Sequence, residues 1–359
     1  MTTPASSVIF LPSKTKAKEE APRQLIVTGC PGSGKSYFIK DMLKKGEVID
    51  ENAAEGDRLF RTAFHYESSF SDFVGCYKPE PLFIASEGKA GDTNKIYDAS
   101  FSPFPIHLDH RPFSTKGGED STDWTPTIFY DYRPGPFLKA YIAAIKNPAL
   151  AHVLLIEEIN RADPAHVFGD LLQLLDRSAN GSSEYPIMPN PDVDKYLLKT
   201  LGKTYEDMGR RISLPANLYI FGTMNRADET VNHLDTAFLR RWSIKYLRSN
   251  GESGHDKNRI GNQAKGETWL DFRTKINAIL AKFPYIEGDK YVGPYFLTVH
   301  EVADRDKVFS KLIMYLWYDV LAMDRESVFK KLTIDALAEM WESSDDIFTK
   351  SAIDPMDKE

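Results

Sequence analysis

Three short runs in the chain are apolar at every position instead of alternate ones: Leu25 to Val27, Val153 to Ile156 and Leu218 to Phe221. A strand covered by helices on both faces has no polar side, so such runs predict neighbouring strands of a parallel sheet. Between them the period changes. Arg58 to Phe64 alternates, with Phe60, Thr62 and Phe64 on one side, and predicts another strand. After Pro136, the residues Phe137, Leu138, Tyr141, Ile142 and Ile145 recur at helical spacing until Asn147-Pro148 stops them. Asp163-Pro164 reads as a cap and first-turn proline, opening a helix whose core face is Val167, Phe168, Leu171, Leu172, Leu174 and Leu175. Strands alternating with helices in this way specify an α/β fold with a parallel sheet flanked by helices.

Elsewhere the pattern weakens. Residues 87–127 are rich in Gly, Ser, Asp, Thr and Pro and read as loops and insertions, and 176–214 as an elaborated hairpin. The polar stretch 250–267 reads as a linker. Helical periodicity returns over 269–280, 306–321 and 327–341, while the last dozen residues read as flexible. The expected organisation is an N-terminal arm over 1–22, an α/β core with insertions over 23–248, a smaller helical part over 249–345, to which the resemblance given below assigns the role of a lid, and a tail over 346–359.

Chemistry enters at the end of the first apolar run. Gly29 to Ser36 reads GCPGSGKS and matches G-x-x-x-x-G-K-[ST] at every fixed position, between a strand and a helix expected over Ser36 to Leu43 with Gly46 as its stop. In such a loop Gly29, Pro31, Gly32, Ser33 and Gly34 let backbone N–H groups converge on a polyphosphate. Lys35 adds a mobile cation, and Ser36 offers a hydroxyl to Mg²⁺. The second apolar run ends in Glu157 and Glu158, at the carboxyl edge where ligands gather in open α/β sheets. A metal-bound triphosphate needs one carboxylate on the metal side, assigned to Glu157, and one to activate water, assigned to Glu158. Asn225, after the third run, brings an amide to the same edge. Arg240 and Arg241 follow a short helix, and either guanidinium is suited to the γ-phosphate in a neighbouring subunit. The expected substrate is ATP or GTP with Mg²⁺, ATP slightly favoured.

Composition changes this little. The 359 residues carry 42% hydrophobic and 27% charged side chains and a net charge of −7, which argues against an intrinsic broad nucleic-acid-binding face and leaves room for a local basic strip. Two cysteines, Cys30 and Cys76, are too few for a disulfide framework. With no apolar run long enough for a bilayer and no signal-peptide core, neither membrane nor secretion is expected, and a reducing cytoplasm fits best.

Taken in order, GCPGSGKS, AFHYESSFSDFVGCYKPE, PGPFLKAYIAAIKNP, LLIEEINRADPAHVFGDLLQLLD and LYIFGTMNRADETVNHLDTAFLRRW resemble the McrB-like branch of the AAA+ NTPases, across Leu25 to about Leu247; YVGPYF at Tyr291 to Phe296 resembles a segment of its lid. The resemblance implies an AAA+ P-loop core followed by a helical lid, assembled as a ring, usually a hexamer, with nucleotide between subunits. It implies an McrC-like nuclease subunit as partner, with DNA reached through that partner, in a restriction or anti-phage system. By position it makes Lys35 and Ser36 phosphate and magnesium ligands, Glu157 and Glu158 the second acidic motif, Asn225 the polar sensor, and Arg240 with Arg241 the residues reaching the next protomer. Three departures stand out. Glu157 replaces the usual aspartate and implies slower hydrolysis. Arg226 replaces the threonine of M-N-T-A-D, a signature tied to GTP. Only the short arm precedes the loop, so DNA recognition would fall to another chain. Two other functions remain open: a MoxR-type protein-remodelling ATPase, and a slowly hydrolysing nucleotide-gated scaffold.

Overall fold

The computed structural model describes residues 21–45, 48–49, 57–85, 95–97, 124–227, 231–262 and 266–353. Five of its strands form one sheet, and the three apolar runs lie at its centre. These five are β1 (Gln24–Gly29), β2 (Leu59–Ala63), β6 (His152–Glu157), β7 (Leu218–Met224) and β8 (Ser243–Leu247). Their order is β2-β6-β7-β1-β8, and every pairing is parallel. Because side chains alternate between faces, each central strand feeds two cores. Ile26, Leu154, Ile156 and Ile220 enter one cluster, and Leu25, Val27, Val153, Leu155 and Phe221 enter the other.

Helices cover both faces. On the smaller cluster lies α1 (Lys35–Lys44), through Ile39, Met42 and Leu43. Gly46, expected to stop it, lies outside the described residues. The short α2 (Phe70–Phe73) follows β2, capped by Ser69 in a reciprocal bond with Asp72. On the larger cluster lies α3 (Pro136–Lys146), burying Phe137, Leu138, Tyr141 and Ile142. Asp163 caps α4 (Pro164–Phe168), its carboxylate accepting from the Ala165 amide. The expected continuous helix breaks at Gly169, whose positive φ of 51° turns the chain into a tighter 3-10 segment over Gly169–Leu175.

Other elements depart further. The strands β3 (Gly75–Ala85), β4 (Lys95–Tyr97) and β5 (Trp124–Pro134) form a second, antiparallel sheet in the order β4-β3-β5, where a segment end at Pro79 and loops to residue 127 were expected. The region 176–214 has bridges pairing Arg177 with Ser183 and Ile187 with Ile212, as a hairpin would, but its middle is a helix over Pro191–Leu201 capped by Asn190.

A third hydrophobic cluster holds the C-terminal part, built on the helix Trp269–Leu280, with Leu312, Leu316, Trp317 and Leu337. The expected linker is part of this packing. Asp256 within it is buried and lies 3.5 Å from the buried Arg273, which also donates to the carbonyls of Ser249 and Gly251. The expected helix over 327–341 is two, Arg325–Val328 and Ile334–Glu342. Nor does a tail begin at 346. Ile347 and Phe348 are buried, Phe348 stacks on Phe329 with ring centroids 5.7 Å apart, and Lys350–Ile353 is a further helical turn. Residues 1–20 of the arm lie outside the described residues.

Candidate active site

Glycine geometry shapes the loop between β1 and α1. Gly34, the residue before the helix, has φ 88°, a left-handed conformation that a larger side chain resists. It contributes no side-chain cap to α1. The first-turn N–H groups therefore point out of the helix unclaimed by a cap, at its positive end, which suits an anion. Lys35 stretches back over the loop, its Nζ donating to the carbonyls of Gly29 at 2.9 Å and Cys30 at 3.2 Å. Burial holds its pKa below the ordinary lysine value, and the charges of Glu158, Cys30 and Glu157 oppose that shift.

The acidic end of β6 meets this loop. Register places Ala63 of β2 beside Glu157, and Ile156 beside Gly222 of β7. Glu157 Oε2 accepts from Ser36 Oγ at 3.2 Å and from Thr223 Oγ1 at 2.6 Å. Glu158 follows with a φ of 53°, unusual for a residue with a Cβ. Its backbone N–H donates to the same Thr223 hydroxyl at 3.1 Å, and its carboxylate lies 3.8 Å from Arg161 Nε. Ser36 and Glu157 together offer the hard oxygen donors that suit Mg²⁺, an ion that keeps water and substrate oxygens as its other ligands. Donor chemistry and loop shape both fit a magnesium-bound polyphosphate.

Asn225 continues β7 beyond this pair. Its Oδ1 accepts from the Ala227 amide at 3.2 Å, which leaves Nδ2 to donate. The buried Asn160 fixes its backbone, donating from Nδ2 to the Asn225 carbonyl at 2.7 Å. Asn225 and Pro31 border a crevice of about 610 Å³ whose other wall is the lid, with Lys290, Tyr315 and Tyr318.

The two arginines lie elsewhere and differ from each other. Both precede Ser243, which pairs with Leu25 at the start of β1, whereas the loop begins after Gly29, paired with Leu247. The length of a five-residue strand, roughly 17 Å, separates the two edges. Arg241 is engaged in its own chain: Nε and Nη2 grip Asp176 at 2.9 to 3.1 Å, and Nη1 donates to the Ala237 carbonyl at 2.9 Å. Arg240 is exposed. Both border a crevice of about 650 Å³ with Arg23, Asp176 and Arg177.

The lid touches the loop directly. Gly293 N–H donates to the Pro31 carbonyl at 3.0 Å and Tyr295 N–H to the Gly32 carbonyl at 2.7 Å. The Tyr295 ring stacks on Tyr37 of α1 at 5.4 Å between centroids. Thr223, Asn160, Gly293 and Tyr295 were not singled out from the sequence as site residues. A threonine inside an apolar strand reads as a β-former; the signal for it was its place beside the two glutamates once β6 and β7 were taken as neighbours.

Comparison with known proteins adds the lineage. Residues 127–242 match the AAA domain of the dynein-related subfamily. The chain is 35% identical over 335 residues to the type II restriction enzyme BsuMI component YdiS of Bacillus subtilis, covering 91% of this chain and 88% of that one. It is 24% identical over 224 residues to the type IV methyl-directed restriction enzyme EcoKMcrB subunit of Escherichia coli, covering 62% of this chain and 34% of that one. Among solved structures, Hsp104 in a closed state with ATPγS and casein covers 85% of this chain, at 15% identity and a TM-score of 0.32, and 42% of its own length is matched.

Proposed function

The chain belongs to the McrB-like AAA+ family, and from that premise we propose that it is the nucleotide-hydrolysing motor of a two-component restriction or anti-phage system. Its substrate is ATP or GTP with Mg²⁺, and subunits form a ring with nucleotide between them. Hydrolysis drives an McrC-like nuclease partner, through which DNA is engaged. The observation that carries this is the convergence of Ser36, Glu157, Thr223 and Glu158 through hydrogen bonds of 2.6 to 3.2 Å. Loop and acid pair, separated by more than a hundred residues of sequence, meet at one point. The restriction context is supported by the names of both relatives, which are restriction-enzyme components.

Each residue then has a role in the reaction. The loop amides and Lys35 bind the phosphates and offset their charge. Ser36 and Glu157 would hold Mg²⁺, which when bound supplies charge neutralisation on the phosphate oxygens. Glu158 accepts the proton of the attacking water at its carboxylate, and Asn225 Nδ2 orients that water or a γ-oxygen. Arg240 serves the site of a neighbouring protomer, a reading supported by its distance of a strand's length from its own loop. Arg241, held by Asp176, shapes the edge that presents it.

Glu158→Gln tests the assignment. It keeps the side-chain shape and removes the base, so Mg-nucleotide binding should persist while phosphate release stops. Undiminished release would remove Glu158 as the base.

A further inference from the structure

We propose that Thr223 is a positioning residue that lets a glutamate do the work of the shorter carboxylate at position 157. Its hydroxyl is buried, the residue being 1% exposed, and both of its hydrogen bonds end on the two acidic residues. Their directions are determined. The Glu158 backbone N–H can only donate, so the hydroxyl accepts there at 3.1 Å; the Glu157 carboxylate can only accept, so the hydroxyl proton points to Oε2 at 2.6 Å. A single side chain thus holds the metal-side carboxylate and the backbone of the base.

The extra methylene of glutamate adds a rotatable bond and lengthens the side chain by about 1.5 Å. Left alone, such a carboxylate samples several rotamers. Here one oxygen is gripped from β7 by Thr223 and from the loop by Ser36 at 3.2 Å, so the longer side chain is held across the gap between them. The threonine is itself fixed: its carbonyl accepts from the Ile159 amide at 2.9 Å, and Ile159 packs over Gly222. The left-handed turn at Glu158 gains from the same hydroxyl, since its N–H is satisfied where strand pairing ends. Length at 157 and a hydroxyl at 223 form a matched pair. Shortening Glu157 to aspartate would pull the carboxylate away from both hydroxyls and slow the enzyme instead of improving it.

The role of Thr223 rests on the reading of Glu157 as the metal-side carboxylate and Glu158 as the base, and the experiment separates the two. Thr223→Val keeps the shape and removes the hydroxyl; Thr223→Ser keeps the hydroxyl. The first readout is the Mg²⁺ concentration that half-saturates tight binding of a fluorescent ATP analogue, which needs no turnover. The second is kcat against nucleotide KM. Thr223→Val should raise the Mg²⁺ midpoint and lower kcat, each by about 10–100-fold, as loss of a residue orienting a metal ligand does. KM at saturating Mg²⁺ should hold, and Thr223→Ser should restore most of the loss. Glu157→Asp should show the same weakening, and adding Thr223→Val to it should cost little more, since the hydroxyl has already lost its carboxylate partner. An unchanged Mg²⁺ midpoint in Thr223→Val, a serine variant as damaged as the valine, or a Glu157→Asp enzyme faster than the parent would overturn the proposal. If Glu158→Gln releases phosphate normally, the site reading fails first; if Glu158→Gln is dead while Thr223→Val is unaffected, only the role of Thr223 fails.

Discussion

Gly293→Ala probes how firmly the lid is seated on the phosphate loop. Gly293 lies where a side chain has no room: a Cβ there would fall 2.3 Å from the Gly32 carbonyl carbon, 2.4 Å from the Ser33 nitrogen and 2.5 Å from the Gly32 oxygen. All three are backbone atoms of the loop, so nothing can rotate aside. Its φ is not positive, which makes the clash, not strained backbone, the cause of any effect. Overpacking of this kind costs about 1–3 kcal/mol. The two lid-to-loop hydrogen bonds, from Gly293 to Pro31 and Tyr295 to Gly32, contribute about 0.5–1.5 kcal/mol each. If the methyl group instead forces the segments apart, the clash is relieved and both bonds are lost, which costs the docked lid roughly 1–3 kcal/mol. Hydrogen exchange reads this directly, because the Tyr295 amide is protected only while it donates to Gly32. Gly254→Ala is the control: nothing lies within 4 Å of its Cβ, and its stability should change by less than about 0.5 kcal/mol. Tyr295 protection and nucleotide affinity both unchanged in Gly293→Ala would refute a lid seated on the loop.

Other outcomes follow from the same geometry. Lys35→Ala removes the cation that closes the loop and should abolish nucleotide binding; calorimetry with unaltered affinity would disprove its role. Arg240→Ala mixed with Lys35→Ala should regain phosphate release, because intact sites form between the two chains, and no recovery at any ratio would count against action in trans. Arg241→Ala should instead lower the unfolding midpoint, losing about 1–3 kcal/mol with the Asp176 grip, and a midpoint equal to the parent's would contradict that. Arg273→Met strands the buried Asp256 carboxylate and should cost about 3–5 kcal/mol in urea unfolding; a loss under about 1 kcal/mol would show that Ser253 suffices to hold Asp256.

What could be read from the sequence follows a physical division. Continuous apolar runs located β1, β6 and β7, because a strand buried on both faces has no alternative pattern. The second sheet is not legible in the sequence for the opposite reason. Pro79 and Pro81 in β3 and Pro126 in β5 lack the N–H that a ladder uses, and such residues argue against a strand until a partner is known. In the backbone register of that ladder Pro79 pairs with Tyr130, Pro81 with Ile128 and Phe83 with Pro126, pairings that only the tertiary structure reveals. Ile347 and Phe348 read as tail in the sequence because a few apolar residues carry no period, yet both are buried in the C-terminal cluster. Within the candidate site, the residues proposed to do chemistry are visible as types, while Thr223 and Asn160, which hydrogen-bond to Glu157, Glu158 and the Asn225 backbone, become visible only through contacts.

The seating of the lid is compatible with a nucleotide beneath it because the two compete for different atoms. Gly293 and Tyr295 donate to loop carbonyls, those of Pro31 and Gly32, and Lys35 donates to the carbonyls of Gly29 and Cys30. The acceptors on one side of the loop are thus consumed by the protein's own donors. An anion wants donors, and those at the start of α1 carry no side-chain cap. Docking the lid therefore leaves those donors alone and fixes the two peptide planes just ahead of them, Pro31–Gly32 and Gly32–Ser33; the Ser33 N–H of the second already donates to the Cys30 carbonyl at 3.1 Å. A nucleotide bound to the amide side should tighten the lid contact on the carbonyl side, since each peptide unit donates through one end and accepts through the other. Gly293 amide exchange, which reports on the Pro31 carbonyl of the peptide unit carrying the Gly32 N–H, should slow when Mg-nucleotide is added to the Glu158→Gln protein, and exchange that stays the same or quickens would break this link between the two faces of the loop.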